Sequence, residues 1–191
     1  LVWDPANPDA TEAVWEYDGK TYPKVKNALG NLDVLRTIYN WSEEEFDESY
    51  YVDHEYVAGN IDDISKHGVH ADYLPVLKEL KTEIKAYLDW ADKKMAAGAA
   101  ENELTLFSTD NLHIFQTYYG GLRKTADGSE WIYGDVELVS QFVKGGYELK
   151  TWLEDQGAKF NDGVALTLIG ALWYRENLNL GCDIDGDGTM E

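Results

Sequence analysis

Along much of the chain, hydrophobic residues recur every three or four positions, which is the spacing of a buried helix face. The clearest run extends from position 72 to about 95 and predicts one long helix. Pro75 lies in its first turn, where a missing amide hydrogen costs nothing, and Gly98 follows its end. The apolar positions of this helix are Tyr73, Leu77, Leu80, Ile84, Tyr87, Leu88, Ala91 and Met95.

Three further helical segments are predicted before this one. Apolar residues between positions 25 and 39 share one helical face, and Pro23 suits the start of that helix. Ser42, followed three residues later by Glu45, forms a capping-box pattern and predicts a second start. Helical spacing then predicts another segment that ends at about Lys66.

Two capped helices are predicted in the second half of the chain. Thr109 or Asp110 caps a shorter helix that ends at the paired glycines 120 and 121. Asp135 caps a longer amphipathic helix that Gly157 closes. The glycine pair at 145 and 146 lies inside this second helix, where each glycine costs about 1 kcal/mol relative to alanine, so we interpret it as a place of close helix packing.

The pattern changes after position 157. Residues 164–173 form a nearly unbroken apolar run, which is typical of a buried strand or of a buried approach to a site. We therefore predict a mainly α fold, a single helical domain of about five helices with minor β content near the C-terminal end. Residues 1–23 are predicted to be an extended or loop lead-in, and residues 176–191 an acidic loop tail.

Composition excludes several classes of partner. With 191 residues and 44% hydrophobic content, the chain can bury a core as one domain. Its net charge of −20 repels phosphate backbones and anionic lipid headgroups, so we expect no nucleic-acid partner. No apolar run reaches about 18 residues, so no membrane insertion is expected. The lone Cys182 cannot form an internal disulfide, and the compartment stays open between cytoplasmic and extracytoplasmic.

The helix capped by Asp135 carries a family resemblance. Residues 135–139 read Asp-Val-Glu-Leu-Val, and the helix leads to residues 152–160, which read Trp-Leu-Glu-Asp-Gln-Gly-Ala-Lys-Phe. This arrangement resembles a segment of the FAD-dependent fumarate reductase and urocanate reductase-like flavoproteins. The paired glycines at 120–121 and the stretch 170–175 match the same family, and the resemblance is best between about residues 106 and 175.

The resemblance implies a bacterial FAD-dependent oxidoreductase that reduces the double bond of an unsaturated carboxylate, with FAD as hydride donor. The chain lacks the Gly-x-Gly-x-x-Gly fingerprint and begins at Leu1 without an initiator methionine, so we expect an internal fragment that does not hold FAD alone. Such a fragment packs beside the flavin domain and leads into the substrate cover. Its partners are the remainder of its own flavoprotein chain and a small unsaturated carboxylate.

One residue is a candidate for substrate contact, and none is predicted to be catalytic. Arg175 lies in an apolar and aromatic stretch, where a guanidinium would hold a carboxylate in bidentate fashion. The alternative is a surface ion pair with a neighbouring acid such as Glu176. Both interpretations stay open at this point.

The last nine residues contain a metal-binding pattern. Asp183, Asp185 and Asp187 occupy positions 1, 3 and 5 of a calcium loop of EF-hand type, and Gly188 occupies position 6. The bidentate glutamate of position 12 would fall beyond Glu191. The alternative is a solvated acidic turn.

A second function class also fits the composition. The chain has seven tryptophans and thirteen tyrosines, so a non-enzymatic, acidic surface or interaction module with a calcium loop is the alternative hypothesis. In such a module, the clusters Tyr39-Asn40-Trp41 and Tyr50-Tyr51 would stack on sugar rings if they were exposed. Aromatic residues at helical spacing are expected in the core instead. His67 and His70 are expected in a loop, without a zinc site.

Overall fold

The computed structural model describes residues 2–9, 15–17, 20–22, 24–52, 54, 60–160, 173 and 179–182. Five α-helices lie in these ranges, so the predicted mainly α fold of about five helices is confirmed. They are α1 (Asn31–Tyr39), α2 (Ile61–Ile64), α3 (Leu74–Ala96), α4 (Asp110–Gly121) and α5 (Val136–Asp155). Short 3-10 turns occupy Tyr50–Val52 and Glu101–Glu103.

Three short antiparallel strand pairs accompany the helices in the described residues. The pairs are β1 (Trp15–Tyr17) with β2 (Lys20–Tyr22), β3 (Arg123–Lys124) with β4 (Trp131–Ile132), and β5 (Ala158–Phe160) with β6 (Asn179–Cys182). Ala158 lies opposite Cys182, and the register shifts between Lys159 and Phe160. The predicted β content near the C-terminal end is present in β5 and β6.

The core forms where α3 packs against α1 and α4, and α5 packs on the outside of α4. Residues three and four apart on α3 share one face, which is why its buried side chains follow helical spacing. Those buried side chains are Leu77, Leu80, Ile84, Tyr87, Leu88 and Ala91. Among the described helices, none combines the length and apolar composition needed to cross a lipid bilayer.

The first predicted helix begins later than the sequence indicates. Residues 24–28 are extended and run beside residues 104–106, with Lys26 opposite Thr105. The Leu106 amide donates to the Val25 carbonyl at 2.7 Å. Helix α1 starts only at Asn31, after Gly30 at φ 95°. Backbone pairing with a distant segment therefore overrides the helical spacing of residues 25–29.

The predicted helix start at Ser42 is wrong. The Ser42 amide donates to the Ser65 carbonyl at 2.8 Å, and Val69 donates to Glu44 at 3.0 Å, so this segment lies extended against residues 65–69. Asp47 instead caps the turn Tyr50–Val52, because its Oδ1 accepts from the Tyr50 amide at 3.2 Å. Of the segment predicted to end near Lys66, the described part contains only α2.

The three later helices are confirmed. Helix α3 matches the predicted long helix. The Thr109 hydroxyl accepts from the Leu112 amide at 3.2 Å and caps α4. The Asp135 carboxylate accepts from the Leu138 amide at 2.9 Å and caps α5, while Gly157 follows its end at φ 97°. Of the predicted strand 164–173, only position 173 lies within the described residues.

Candidate functional site

The residues predicted to bind substrate or metal lie outside the described part of the chain. This applies to Arg175 and to the three aspartates of the calcium pattern, Asp183, Asp185 and Asp187. Their roles therefore stay predictions. Within the described ranges, no group of three or more His, Cys, Asp or Glu side chains is placed to hold a metal ion.

Two of the four histidines lie in the loop after α2, as predicted, and their rings lie in different surroundings. The His67 ring stacks on Tyr50, with centroids 3.5 Å apart. The His70 ring instead stacks on Phe46 at 4.4 Å. The two imidazoles therefore have separate structural contacts.

The aromatic clusters proposed as sugar platforms are largely internal. Trp41 and Tyr51 are each only 1% exposed. The Trp41 ring packs edge-on against Phe115 at 4.9 Å, and its indole nitrogen donates to the Gly68 carbonyl at 2.8 Å. Neither Trp41 nor Tyr51 can therefore stack on a sugar ring. These two residues no longer support the carbohydrate-binding hypothesis.

Helix α5 presents large apolar side chains to solvent. Leu138 is 66% exposed, Phe142 68%, Leu149 52% and Trp152 57%. Together with Gly145 these residues recur at alternating steps of four and three, so they lie on one face of the helix. We call this face, made of Leu138, Phe142, Gly145, Leu149 and Trp152, the apolar stripe.

The opposite side of α5 holds it against the core. Val136, Val139 and Val143 pack there as partly buried residues. At the entrance to the helix, the Tyr73 hydroxyl donates to the Gly134 carbonyl at 2.6 Å. Burial raises the pKa of Tyr73 to about 12, so the hydroxyl keeps the proton that this hydrogen bond needs. The N-terminal half of the apolar stripe is therefore held in a fixed position.

The glycine pair inside α5 faces open space. A Cβ added at Gly145 or at Gly146 would meet no atom within 4 Å. The close helix packing predicted for this pair is therefore not made by the described residues. The helix backbone at Gly145 is accessible in the middle of the apolar stripe.

An aromatic cluster underlies the entrance to α5. The His70 ring lies between Phe46 and Tyr133, whose centroids are 4.4 and 3.9 Å from its own. Its Nδ1 is 2.7 Å from the Tyr118 hydroxyl, which also accepts the His70 amide at 3.1 Å. Burial lowers the pKa of the His70 imidazole below its usual 6.5, and the Asp72 carboxylate opposes that shift only in part. Sequence spacing gave no sign of this cluster.

The lowered pKa of His70 predicts a pH-dependent stability. Because the unfolded chain binds a proton at His70 more readily than the folded one, the His70 contribution is complete above pH 6.5 and declines as pH falls through the folded pKa. We expect His70→Asn to flatten the dependence of the unfolding free energy on pH as the pH falls below about 7. Urea titrations at several pH values measure this slope. His54→Asn, which removes an exposed imidazole, is the control, and equal flattening by both variants would contradict the prediction.

An open cleft of about 430 Å³ between α1 and α3 concentrates basic side chains. It is lined by Tyr39, Glu43, Lys78, Lys81, Thr82 and Lys85. Lys81 is already paired with Glu43 at 2.8 Å, and Lys85 with Asp89 at 2.6 Å. Two of its three ammonium groups are thus neutralised, so the cleft is not a preformed carboxylate site.

The described residues do not fit a dinucleotide. FAD binding requires a glycine-rich turn from a strand into a helix N-terminus, where free amides meet the pyrophosphate. Strand β4 leads into α5 through Tyr133-Gly134-Asp135, with a single glycine. The Asp135 carboxylate already accepts the hydrogen bond from the Leu138 amide, and its negative charge would repel a phosphate. No step of flavin chemistry is therefore assigned to these residues.

Comparison with known proteins gives a distant similarity to an oxidoreductase. No protein-family model matches the chain, and no solved structure matches it. The chain is 33% identical over 104 residues to the NADH:acrylate oxidoreductase of Vibrio harveyi. The aligned residues make up 54% of this chain and 10% of that protein, so the chain spans about a tenth of the length of the curated relative it matches. A distant similarity to an oxidoreductase agrees with the resemblance drawn from the sequence.

Proposed function

We propose that this chain is part of an FAD-dependent oxidoreductase of fumarate reductase type that reduces the double bond of an unsaturated carboxylate. The similarity to an NADH:acrylate oxidoreductase carries the proposal. Acrylate is itself a small carboxylate conjugated to a double bond, which is the substrate class that the family resemblance implies. The flavin site and most catalytic groups belong to parts of the protein outside these 191 residues.

In this proposal the chain has a supporting role. It packs beside the flavin domain through its helices and leads into the cover over the substrate. The firmly capped α5, with one face on the core and an apolar face in solvent, supports that role. Reduction of an alkene also needs cationic donors that hold the substrate carboxylate and polarise the double bond. Arg175 is the residue of this chain that we assign to that carboxylate.

The assignment of Arg175 predicts a specific loss. In the polypeptide of the complete reading frame, we expect Arg175→Lys to raise the KM for an unsaturated acid by about tenfold or more, because lysine cannot form the bidentate pair with a carboxylate. Steady-state kinetics measure the change. Arg123→Lys is the matched control, since the exposed Arg123 donates to the Gly121 carbonyl. Equal KM values for both variants would contradict the assignment.

The reaction itself is testable with the same polypeptide. We expect dithionite-reduced protein, kept anaerobic, to be reoxidised by acrylate or fumarate with formation of the saturated acid. Propionate, which has no double bond, is the matched control and leaves the protein reduced. If no unsaturated carboxylate reoxidises the protein faster than propionate does, the proposed substrate class is wrong.

A further inference from the structure

We infer that the apolar stripe of α5 is the surface on which another segment of the same polypeptide, from outside these 191 residues, packs. We further infer that this segment presents an apolar row with basic side chains along one edge. The inference rests on the proposed function, since it takes the partner to be the remainder of the oxidoreductase chain. The relative is about ten times longer than the region of similarity, which leaves room for such a segment.

The size of the stripe indicates a partner. It extends from Leu138 to Trp152, which is about 21 Å along a helix. Four large apolar side chains on that length are each more than half exposed. Contiguous apolar surface of this kind is uncommon on proteins that act alone and is typical of interfaces.

The shape of the stripe favours close contact with a backbone. Gly145 lies at its centre, between Phe142 and Leu149, and nothing lies within 4 Å of a Cβ added there. A helix or strand that crosses α5 at this point can approach to the short end of the usual interaxial range, about 8 Å. The large side chains on either side then close over the crossing segment.

The charges beside the stripe indicate what the partner carries. Glu137, Glu148 and Asp155 are exposed and line the edge of the stripe that faces away from the core. The exposed Lys144 lies between Glu137 and Glu148, so the edge carries three acidic side chains and one basic one. None of the three forms an ion pair within the described residues. In a chain of net charge −20, an acidic partner would be repelled from this edge, whereas lysine or arginine would pair with it.

The same edge argues against antiparallel pairing with a second copy of this chain. In such a pairing of two α5 helices about a two-fold axis, both edges fall on the same side of the interface. Glu137 of each copy would then lie near Asp155 of the other, although Glu148 would lie near Lys144. Like charges held close together at the two ends oppose that arrangement.

Thiol labelling tests the inference. In a Cys182→Ser background, Phe142→Cys is labelled with a maleimide in the 191-residue chain and in the polypeptide of the complete reading frame. We expect labelling at position 142 to be at least tenfold slower in the complete polypeptide, because opening of the interface must precede reaction. Leu29→Cys, at a position 71% exposed and outside α5, is the matched control for general access.

Three results would overturn the inference. These are equal labelling rates at position 142 in the two polypeptides, protection at position 142 already present in the 191-residue chain, and a slowing no greater than that at position 29. Protection in the short chain that rises with protein concentration would identify a second copy as the occupant.

The visible colour of the complete polypeptide separates this inference from the proposed function. A yellow protein with a reactive thiol at position 142 would contradict the inferred packing on the apolar stripe but not the proposed function. A colourless protein with a protected thiol at position 142 would contradict the proposed flavoprotein function but not the packing.

The charged edge is tested separately. Glu148→Lys places two lysines, at positions 144 and 148, four residues apart on α5, so it lowers Tm more than Glu79→Lys on α3 even in the 191-residue chain. We expect this excess loss to be at least about 2 °C larger in the complete polypeptide, where the new lysine also meets the basic edge of the partner. An excess of the same size in both polypeptides would contradict a basic partner edge.

Discussion

Replacing Trp41 with alanine lowers the free energy of unfolding of the chain by about 3–5 kcal/mol, because the change removes a fully packed indole and leaves a cavity. The ring is 1% exposed and lies against Phe115 and Tyr119, with centroids 4.9 and 5.5 Å away. Its loss also removes the donor to the Gly68 carbonyl. Urea denaturation followed by circular dichroism measures the change.

Trp152→Ala is the matched control for this result. It removes the same side chain from a position 57% exposed on α5, so we expect a change within about 0.5 kcal/mol. The comparison separates a tryptophan that builds the core from one that belongs to the apolar stripe. Equal losses for the two variants would show that Trp152 is buried in the isolated chain.

Gly68→Ala is the second substitution with a large expected effect. We expect it to lower the free energy of unfolding by about 3 kcal/mol or more. A Cβ at this position would lie 2.5 Å from the Glu45 carbonyl oxygen and 2.6 Å from that of Glu44, and both are backbone atoms that cannot rotate away. The backbone φ of +85° adds left-handed strain for any residue with a side chain. Thermal or urea unfolding measures the loss.

The control for Gly68 is Gly128→Ala. Gly128 has a similar φ of +73°, but nothing lies within 4 Å of an added Cβ. We expect this variant to lose only about 1 kcal/mol, which is the strain term alone. If both variants lose the same free energy of unfolding, the backbone of residues 44–45 can move away from Gly68 at little cost.

Local signals in the sequence predicted three of the helices well. For α3, α4 and α5, apolar spacing and a capping residue or terminal glycine lie within the same short segment. The start of α1 and the segment after Ser42 were missed because their partners are distant in the chain. Residues 24–28 pair with residues 104–106, and the Glu101 carboxylate accepts the Leu32 amide at 2.8 Å from 69 residues away.

The candidate site was predictable only in part. The amphipathic character of α5 follows from its spacing, but spacing does not tell which apolar residues face the core and which face solvent. Val139 and Leu138 are neighbours in sequence, and only the packing of α5 on α4 makes one partly buried and the other 66% exposed. The cluster around His70 combines rings from separate segments, so no local pattern could reveal it.

The visible absorption spectrum of the polypeptide expressed from the complete reading frame tests the central claim most directly. We predict the two-banded absorption of an oxidised flavin, bleached by dithionite, with about one FAD released per polypeptide on denaturation. The 191-residue chain, expressed alone, serves as the reference. A complete polypeptide that is folded, remains colourless after purification and does not take up added FAD would contradict the claim that this chain is part of a flavoprotein oxidoreductase.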